Sequence, residues 1–296
     1  MDKFNPSHLF LACPNDQKEL IEYQDIFECR FCHKVYKKYA SNVFEFMPSN
    51  CFKIDDEKNE FIKNYNKYYH QLFNQKLFLI PEIEFKAWGE MGKSTASGYK
   101  IFMEDEINLF KTLIKRHSND MAIEISGGSG NYSIALAPEV KKMIHFDLDV
   151  KSINSAYQKS VKYNIIKNML FIRGDYLQMP FHSNSFDLVL APDCLERGEG
   201  HEKRLLSEIF RILKPGRRAI IDFHQKRSFS KNTSIKEYRL DEIKKLFKSL
   251  NIDQFEIIPL GYVPAKLTFS ELSYRLLDFL CKFIIKSKRL IAVIEK

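Results

Sequence analysis

The stretch AIEISGGSGNYS, residues 122–133, constrains the fold of this chain more than any other. An apolar run ends in a turn almost stripped of side chains, and a helix-forming segment follows. Three of the 11 glycines in 296 residues fall within four positions here, as Gly127, Gly128 and Gly130. A strand–turn–helix junction leaves backbone N–H groups unsatisfied and sets the positive end of the helix dipole at the turn. Backbone so bare lets a polar or anionic ligand come close. A dinucleotide fingerprint reads G-x-G-x-x-G, whereas this turn reads GGSG behind a carboxylate, Glu124. That acid repels a pyrophosphate and attracts an ammonium group. The expected ligand has a cationic end.

From Met121 onward the chain alternates strands and helices. MAIEIS, KMIHFDL, MLFIRGD, FDLVLAP and AIIDFH read as strands, with helices at NYSIALAPEV, DVKSINSAYQKSVKYN and HEKRLLSEIFRIL between them. After His224 a helix, SIKEYRLDEIKKLFKSL, a strand, FEIIPL, a helix around FSELSYRLLDFLCKFII and a closing strand, RLIAVIEK, follow. Near-continuous apolar strands separated by helices predict a parallel sheet covered on both faces. Upstream, a helix is expected over EDEINLFKTLIKRH, with its acids at the N-terminal end and Ile107, Phe110, Leu113 and Ile114 on one face. Further carboxylates close the strands: Asp147, Asp175 and Asp193. Ligands of open parallel sheets bind at the carboxyl ends of strands. The two oxygens of Asp147 suit a ribose, and Asp175 suits an exocyclic amine. Asp193 falls where a substrate would meet the ligand. One such acid reads as a helix cap; several behind a glycine turn read as a site.

The segments AIEISGGSG, HFDLD, GDYLQMPFHSNSFDLVLAPDCLE and EIFRILKPGRRAIIDF resemble the successive motifs of class I S-adenosylmethionine-dependent methyltransferases. The resemblance is to the ubiquinone/menaquinone-biosynthesis branch and covers roughly residues 100–225. It implies an α/β fold, a Rossmann-like seven-stranded mostly parallel sheet with helices on both faces. It also implies S-adenosyl-L-methionine as cofactor. By the same resemblance Glu124 contacts the methionine amino group, and Ser126, Gly128 and Gly130 let the backbone pass close to the methionyl moiety. Asp147 holds the ribose, Leu148 packs on the adenine, Asp175 and Tyr176 read the adenine edge, and Ala191 completes the cofactor-binding set. Two departures stand out: Ser126 replaces the usual first glycine, and Arg197 stands where a histidine is usual. His224 and Glu196 are the candidate catalytic bases, with His201 and His182 behind them. APDC follows the fourth strand in place of Asp/Asn-Pro-Pro-Tyr, which argues against transfer to exocyclic amines.

Residues 1–50 read as a small β-rich module, 51–100 as a linker with helical cover, and 101–296 as the main domain with a helical insertion near 264–287. Cys13, Asp16, Cys29 and Cys32 carry the spacing of two metal-binding knuckles with one carboxylate, and His33 is an alternative fourth ligand. CRFCHKVYKKYASNVFEFMP resembles zinc ribbons fused ahead of methyltransferase domains. It also resembles the small activator subunit of tRNA and translation-factor methyltransferases, and the ribbon of large-subunit rRNA guanine methyltransferases. The resemblance implies one structural zinc; a degenerate ribbon without metal is the other reading.

The net charge of +8 is unevenly placed. Residues 201–296 hold 21 Lys+Arg against 11 Asp+Glu, a balance of +10, and the first 200 residues balance at −2. Such a basic region steers anionic partners: RNA, a phosphorylated substrate or a membrane surface. Arg275, Asp278, Lys282, Lys286 and Arg289 recur at helical spacing beside apolar residues. That pattern fits a helix packed on the domain, a homodimer contact, a substrate lid or a membrane-surface helix. With no secretory signal, no transmembrane segment and six cysteines at uneven spacing, a cytoplasmic protein is expected. The expected function is methyl transfer to a small molecule. An RNA (rRNA or tRNA) base acceptor is the alternative, disfavoured by the lack of an arginine-rich arm. A non-catalytic cofactor-binding assembly partner is the second.

Overall fold

In the computed structural model, the described residues are 8, 10–50, 67, 70–77, 97–115, 121–195, 200–227, 236–263 and 270–296. The chain opens on an antiparallel meander: β1 (Leu20–Glu22), β2 (Ile26–Cys29), β3 (Val35–Ala40) and β4 (Val43–Phe46). Helix α1 (Ser97–Lys115) leads into the alternating region. There β5 (Met121–Ile125), α2 (Asn131–Leu136), β6 (Lys142–Asp147), α3 (Val150–Lys162), β7 (Met169–Gly174), β8 (Phe186–Ala191), α4 (Glu202–Ile212) and β9 (Leu213–His224) follow in turn. The chain closes with α5 (Leu240–Lys248), β10 (Phe255–Leu260), α6 (Glu271–Cys281) and β11 (Arg289–Glu295).

All strands join one sheet in the order β1-β2-β3-β4-β7-β6-β5-β8-β9-β11-β10. The run from β4 to β9 is parallel, and β11 returns antiparallel between β9 and β10. Every residue of β7 and β8 is buried, as expected of strands covered on both faces. Asp149 starts α3 by accepting the N–H of Lys151, while Lys159 and Lys162 sit in its last turn, where cations favour the helix dipole. The LKPG segment lies inside β9, where Gly216 has φ 68° and the pairing with β8 shifts between Phe186 and Leu188.

The sheet is wider than the seven strands expected, because the N-terminal strands extend it. Val43, Phe44 and Phe46 of β4 are all buried, and Glu45, on the Val43 face, pairs with the buried Arg173 of β7, so both faces of that strand are covered. A strand of that kind is stable inside a sheet and not at its rim. It pairs in parallel with β7, from Val43 opposite Phe171 to Phe46 opposite Gly174. Phe10 then stacks on Phe181 with centroids 6.1 Å apart, and Phe27, Phe44 and Phe46 share one core with Phe146 and Phe186. The N-terminal segment is therefore built onto the main sheet instead of hanging from it by a linker. Much of the expected linker and cover at 51–100 lies outside the described residues.

Two other differences concern helices. Helix α1 begins at Ser97, so Glu106 is an interior residue, fully buried, and not part of an acidic first turn. The expected charged stripe ends with α6 and the turn after it. Arg289, counted in the stripe and also as the first residue of the expected strand RLIAVIEK, belongs to that strand, β11, where it sits opposite His224. Among the described residues, no helix is long and apolar enough to cross a membrane.

Candidate functional site

The glycine turn between β5 and α2 is held from beneath by Glu124. This side chain is fully buried, and its Oε2 accepts the N–H of Ser133 at 2.9 Å in the first turn of α2. His145 Nδ1 lies 3.5 Å from the same oxygen and 3.0 Å from Ser133 Oγ. Glu124 Oε1 is buried with no hydrogen-bond partner among the described residues. Gly127 passes so close to His145 that a Cβ would stand 2.5 Å from its Cε1. Among the described residues a Cβ on Gly128 would meet nothing within 4 Å, so within them the turn is closed below and open above. Ser126 takes the first-glycine position with φ 56°, a conformation costly for a residue with a side chain.

Asp147, at the end of β6, is almost fully buried. Its Oδ2 accepts the N–H of Gly128 at 2.8 Å and its Oδ1 that of Asp149 at 2.7 Å, and burial pushes its carboxyl up. Asp175 follows β7 and accepts the N–H of Leu177 at 2.8 Å. Leu148, Asp175, Tyr176 and Ala191 are all buried. The expected cofactor-binding residues therefore gather at the carboxyl ends of four adjacent strands, β5 to β8.

At the ends of β8 and β9 the structure adds a polar cluster. Asp193 Oδ1 lies 3.2 Å from His224 Nε2, and the N–H of Asp193 donates to Asp222 Oδ1 at 2.5 Å. The buried Arg289 guanidinium pairs with Asp193 and, at 2.6 Å, with Asp222. Tyr132, one turn from the glycines, donates its hydroxyl to Glu106 at 2.6 Å. Burial raises the carboxyls of Glu106 and Asp222. For Asp193 the same penalty is outweighed by the His224 hydrogen bond and the Arg289 charge, and its carboxyl stays well below the usual range. Burial and the neighbouring Arg289 bring Lys288 down to about 8.

Sequence reasoning reached Asp193 and His224 and missed Glu106, Tyr132, Asp222 and Arg289. Asp222 carried a signal, since residues two apart on a strand share a face, and His224 is its neighbour there. Glu106 carried another, as an acid four residues from both Phe102 and Phe110 on a buried helix face. Arg289 carried none, because only the antiparallel return of β11 brings it to His224. The weaker bases fall elsewhere. His182 lies before β8, at the opposite end of the strands, and His201 is buried ahead of α4, where burial pushes its pKa down to about 4. Glu196 and Arg197 lie outside the described residues.

Cys13, Asp16, Cys29 and Cys32 converge, with their ligand atoms all within 4.8 Å of one another. Cys13 Sγ and Cys32 Sγ are 3.6 Å apart, and Cys29 Sγ lies 3.4 Å from Asp16 Oδ2. The N–H groups of Phe31 and Cys32 both donate to Cys29 Sγ at 3.4 Å. His33 stands away from this group, exposed, with its ring 3.4 Å from Glu28.

A family model described as a methyltransferase domain matches residues 122–216. The demethylmenaquinone methyltransferase of Lactiplantibacillus plantarum is 32% identical over 106 residues, covering 35% of this chain and 44% of the relative. The ubiquinone/menaquinone biosynthesis C-methyltransferase of Rickettsia typhi is 30% identical over 103 residues, covering 33% and 41%. The chain thus spans less than half the length of these curated relatives. The crystal structure of a SAM-dependent methyltransferase from Thermotoga maritima superposes with a TM-score of 0.50 at 16% identity, over 67% of this chain and 91% of that one. Family model and strand order agree: residues 122–216 carry a methyltransferase domain.

Proposed function

We propose that the protein transfers a methyl group to a small-molecule acceptor in the space between the glycine turn and the Asp193–His224 pair. The residues present fit the cofactor. The space above Gly128 admits a ligand against the backbone, and the lone Glu124 Oε1 beneath suits an ammonium reached directly or through water. A carboxylate offers about four lone-pair sites, so Asp147 can keep its two N–H donors and still receive ribose hydroxyls. In this reading Ser126, Gly128 and Gly130 border the methionyl end. Leu148, Asp175, Tyr176 and Ala191 enclose the adenine.

When bound, S-adenosylmethionine supplies a methyl group already activated by its sulfonium. The work left to the chain is to align the acceptor, exclude water and take up a proton where the acceptor carries one. His224 takes that proton. Asp193 orients its ring and stabilises the imidazolium, while Arg289 keeps Asp193 ionised. The single observation that carries the reading is the row of acids ending β5, β6 and β7 around a turn open on one side. A small acceptor is supported by the partly exposed Asp193, kept ionised at this end of the sheet and unsuited to a polyanionic backbone. It is also supported by the quinone-biosynthesis relatives.

The basic last third favours RNA as a second reading. A labelled-methyl screen of ribosomal RNA against a small-molecule extract tests both. Label in the small-molecule fraction is expected. Label in RNA alone would establish the second reading, and cofactor binding without any labelled acceptor would leave a non-catalytic partner.

The four N-terminal ligands would hold one structural zinc. At Zn–S distances of about 2.3 Å a tetrahedron places its sulfurs about 3.8 Å apart, near the Cys13–Cys32 separation. Burial pushes the Cys29 thiol up, and the two N–H donors on its sulfur partly offset that; a bound cation would supply the rest.

A further inference from the structure

Helix α6 is held on the protein by few contacts: Asp278 Oδ1 accepts the N–H groups of Tyr262 at 2.5 Å and Val263 at 2.9 Å, and Arg275, itself largely exposed and paired with Glu271, reaches Asp105 of α1 at 3.4 Å. Tyr274 is its buried anchor. Most of its other apolar side chains face outward. Leu272, Leu276, Phe279, Leu280, Phe283 and Ile284 are between 49% and 81% exposed, and Phe279 packs edge-on against Phe283 with centroids 5.6 Å apart. Scattered apolar residues on a surface carry no message, but a continuous ridge of this kind marks a contact.

We infer that α6 and the turn after it, residues 271–286, seat the protein on an anionic lipid surface. Charge decides between the occupants. The exposed Lys282 and Lys286 bracket Phe283, Ile284 and Ile285, so cationic heads stand beside the apolar ridge on stems long enough to reach headgroups while the rings enter the acyl boundary. A two-fold contact between copies would oppose the same lysines, in a chain of net charge +8, across the axis. An anionic leaflet complements both features of the face. This seating does not depend on the methyl-transfer reading, and its test reads no activity.

The test is flotation of the full chain with vesicles of phosphatidylcholine alone and of equal parts phosphatidylcholine and phosphatidylglycerol. The protein is expected to float with the anionic vesicles, with an apparent affinity at least about tenfold above that for neutral ones, and to be released by salt. The double variant F279S/F283S should lose about tenfold or more of that binding at an unchanged melting temperature, because both rings are exposed. K282E/K286E should abolish the preference for anionic vesicles. The inference is overturned if the wild type stays with the aqueous fraction, if F279S/F283S floats as the wild type does, or if neutral and anionic vesicles bind alike. It is overturned equally if sedimentation velocity shows a dimer that F279S/F283S dissolves and no vesicle binding accompanies it.

Discussion

Asp147 Oδ2 receives the backbone N–H of Gly128 at 2.8 Å, so the acid proposed to hold a ribose also fixes the turn that borders the methionyl end. Removing it has two effects. Asp147→Ala is expected to weaken S-adenosylhomocysteine binding by roughly 1–3 kcal/mol and to lower the melting temperature as well. Asp147→Asn, which keeps one carbonyl oxygen for the turn, should recover most of the stability and less of the affinity. Calorimetry and thermal melts on both variants check this; full affinity in the alanine variant would place the ribose elsewhere.

Gly130 and Gly128 both have positive φ, yet their surroundings differ. A Cβ on Gly130 would stand 2.8 Å from Ala156 Cβ, whereas one on Gly128 meets nothing within 4 Å among the described residues. Gly130→Ala should cost about 2 kcal/mol or more, adding overlap with α3 to the backbone penalty. Gly128→Ala should cost nearer 1 kcal/mol in stability and weaken cofactor binding more than Gly130→Ala does. Urea unfolding read beside cofactor titration separates the two.

If His224 is the base, His224→Asn and Asp193→Asn should each lower kcat by about a hundredfold or more while leaving cofactor affinity nearly unchanged. The loss of rate on the acidic side, where the wild-type imidazole becomes protonated, should vanish in His224→Asn. A variant that keeps the full rate would show that the acceptor ionises unaided.

Metal analysis of the purified protein should find about one zinc per chain. Cys29→Ser should lose the metal and lower the melting temperature. A fully folded, metal-free wild type would leave the four side chains as a relic of a ribbon.

His201 makes stability depend on pH. The unfolded imidazole takes a proton near 6.5, and the buried one only near 4. Between these values the unfolded chain binds more protons, so stability falls as pH drops through that window, by on the order of 2–3 kcal/mol in all. Urea midpoints for His201→Gln should be flatter than those of the wild type between pH 6.5 and 4.

The parts of the molecule legible in the sequence are those set by neighbours along the chain. Strands β5 to β11 are visible as apolar runs, and the acids that close β5 to β8 need only the rule that ligands meet carboxyl ends. Cys13, Asp16, Cys29 and Cys32 were legible from spacing alone. What stayed hidden depends on who pairs with whom. Nothing local says that β4 inserts beside β7 or that β11 returns to set Arg289 against His224. The buried position of Glu106 followed from a helix that starts seven residues before the first of the acids expected to head it. Side-chain roles were harder still: Glu124 reads as a ligand contact in sequence, and in the fold its Oε2 first of all secures the N–H of Ser133.

The pairing of β4 with β7 bears on how this protein can be divided. Strand β7 is buried on both faces and its Arg173 pairs with Glu45 of β4, so a fragment beginning at residue 122, where the matched family segment starts, would present β7 as a raw border of unpaired N–H and C=O groups. Such a border recruits further strands, and that fragment should clump on expression. The N-terminal segment is in this sense a self-protecting hem.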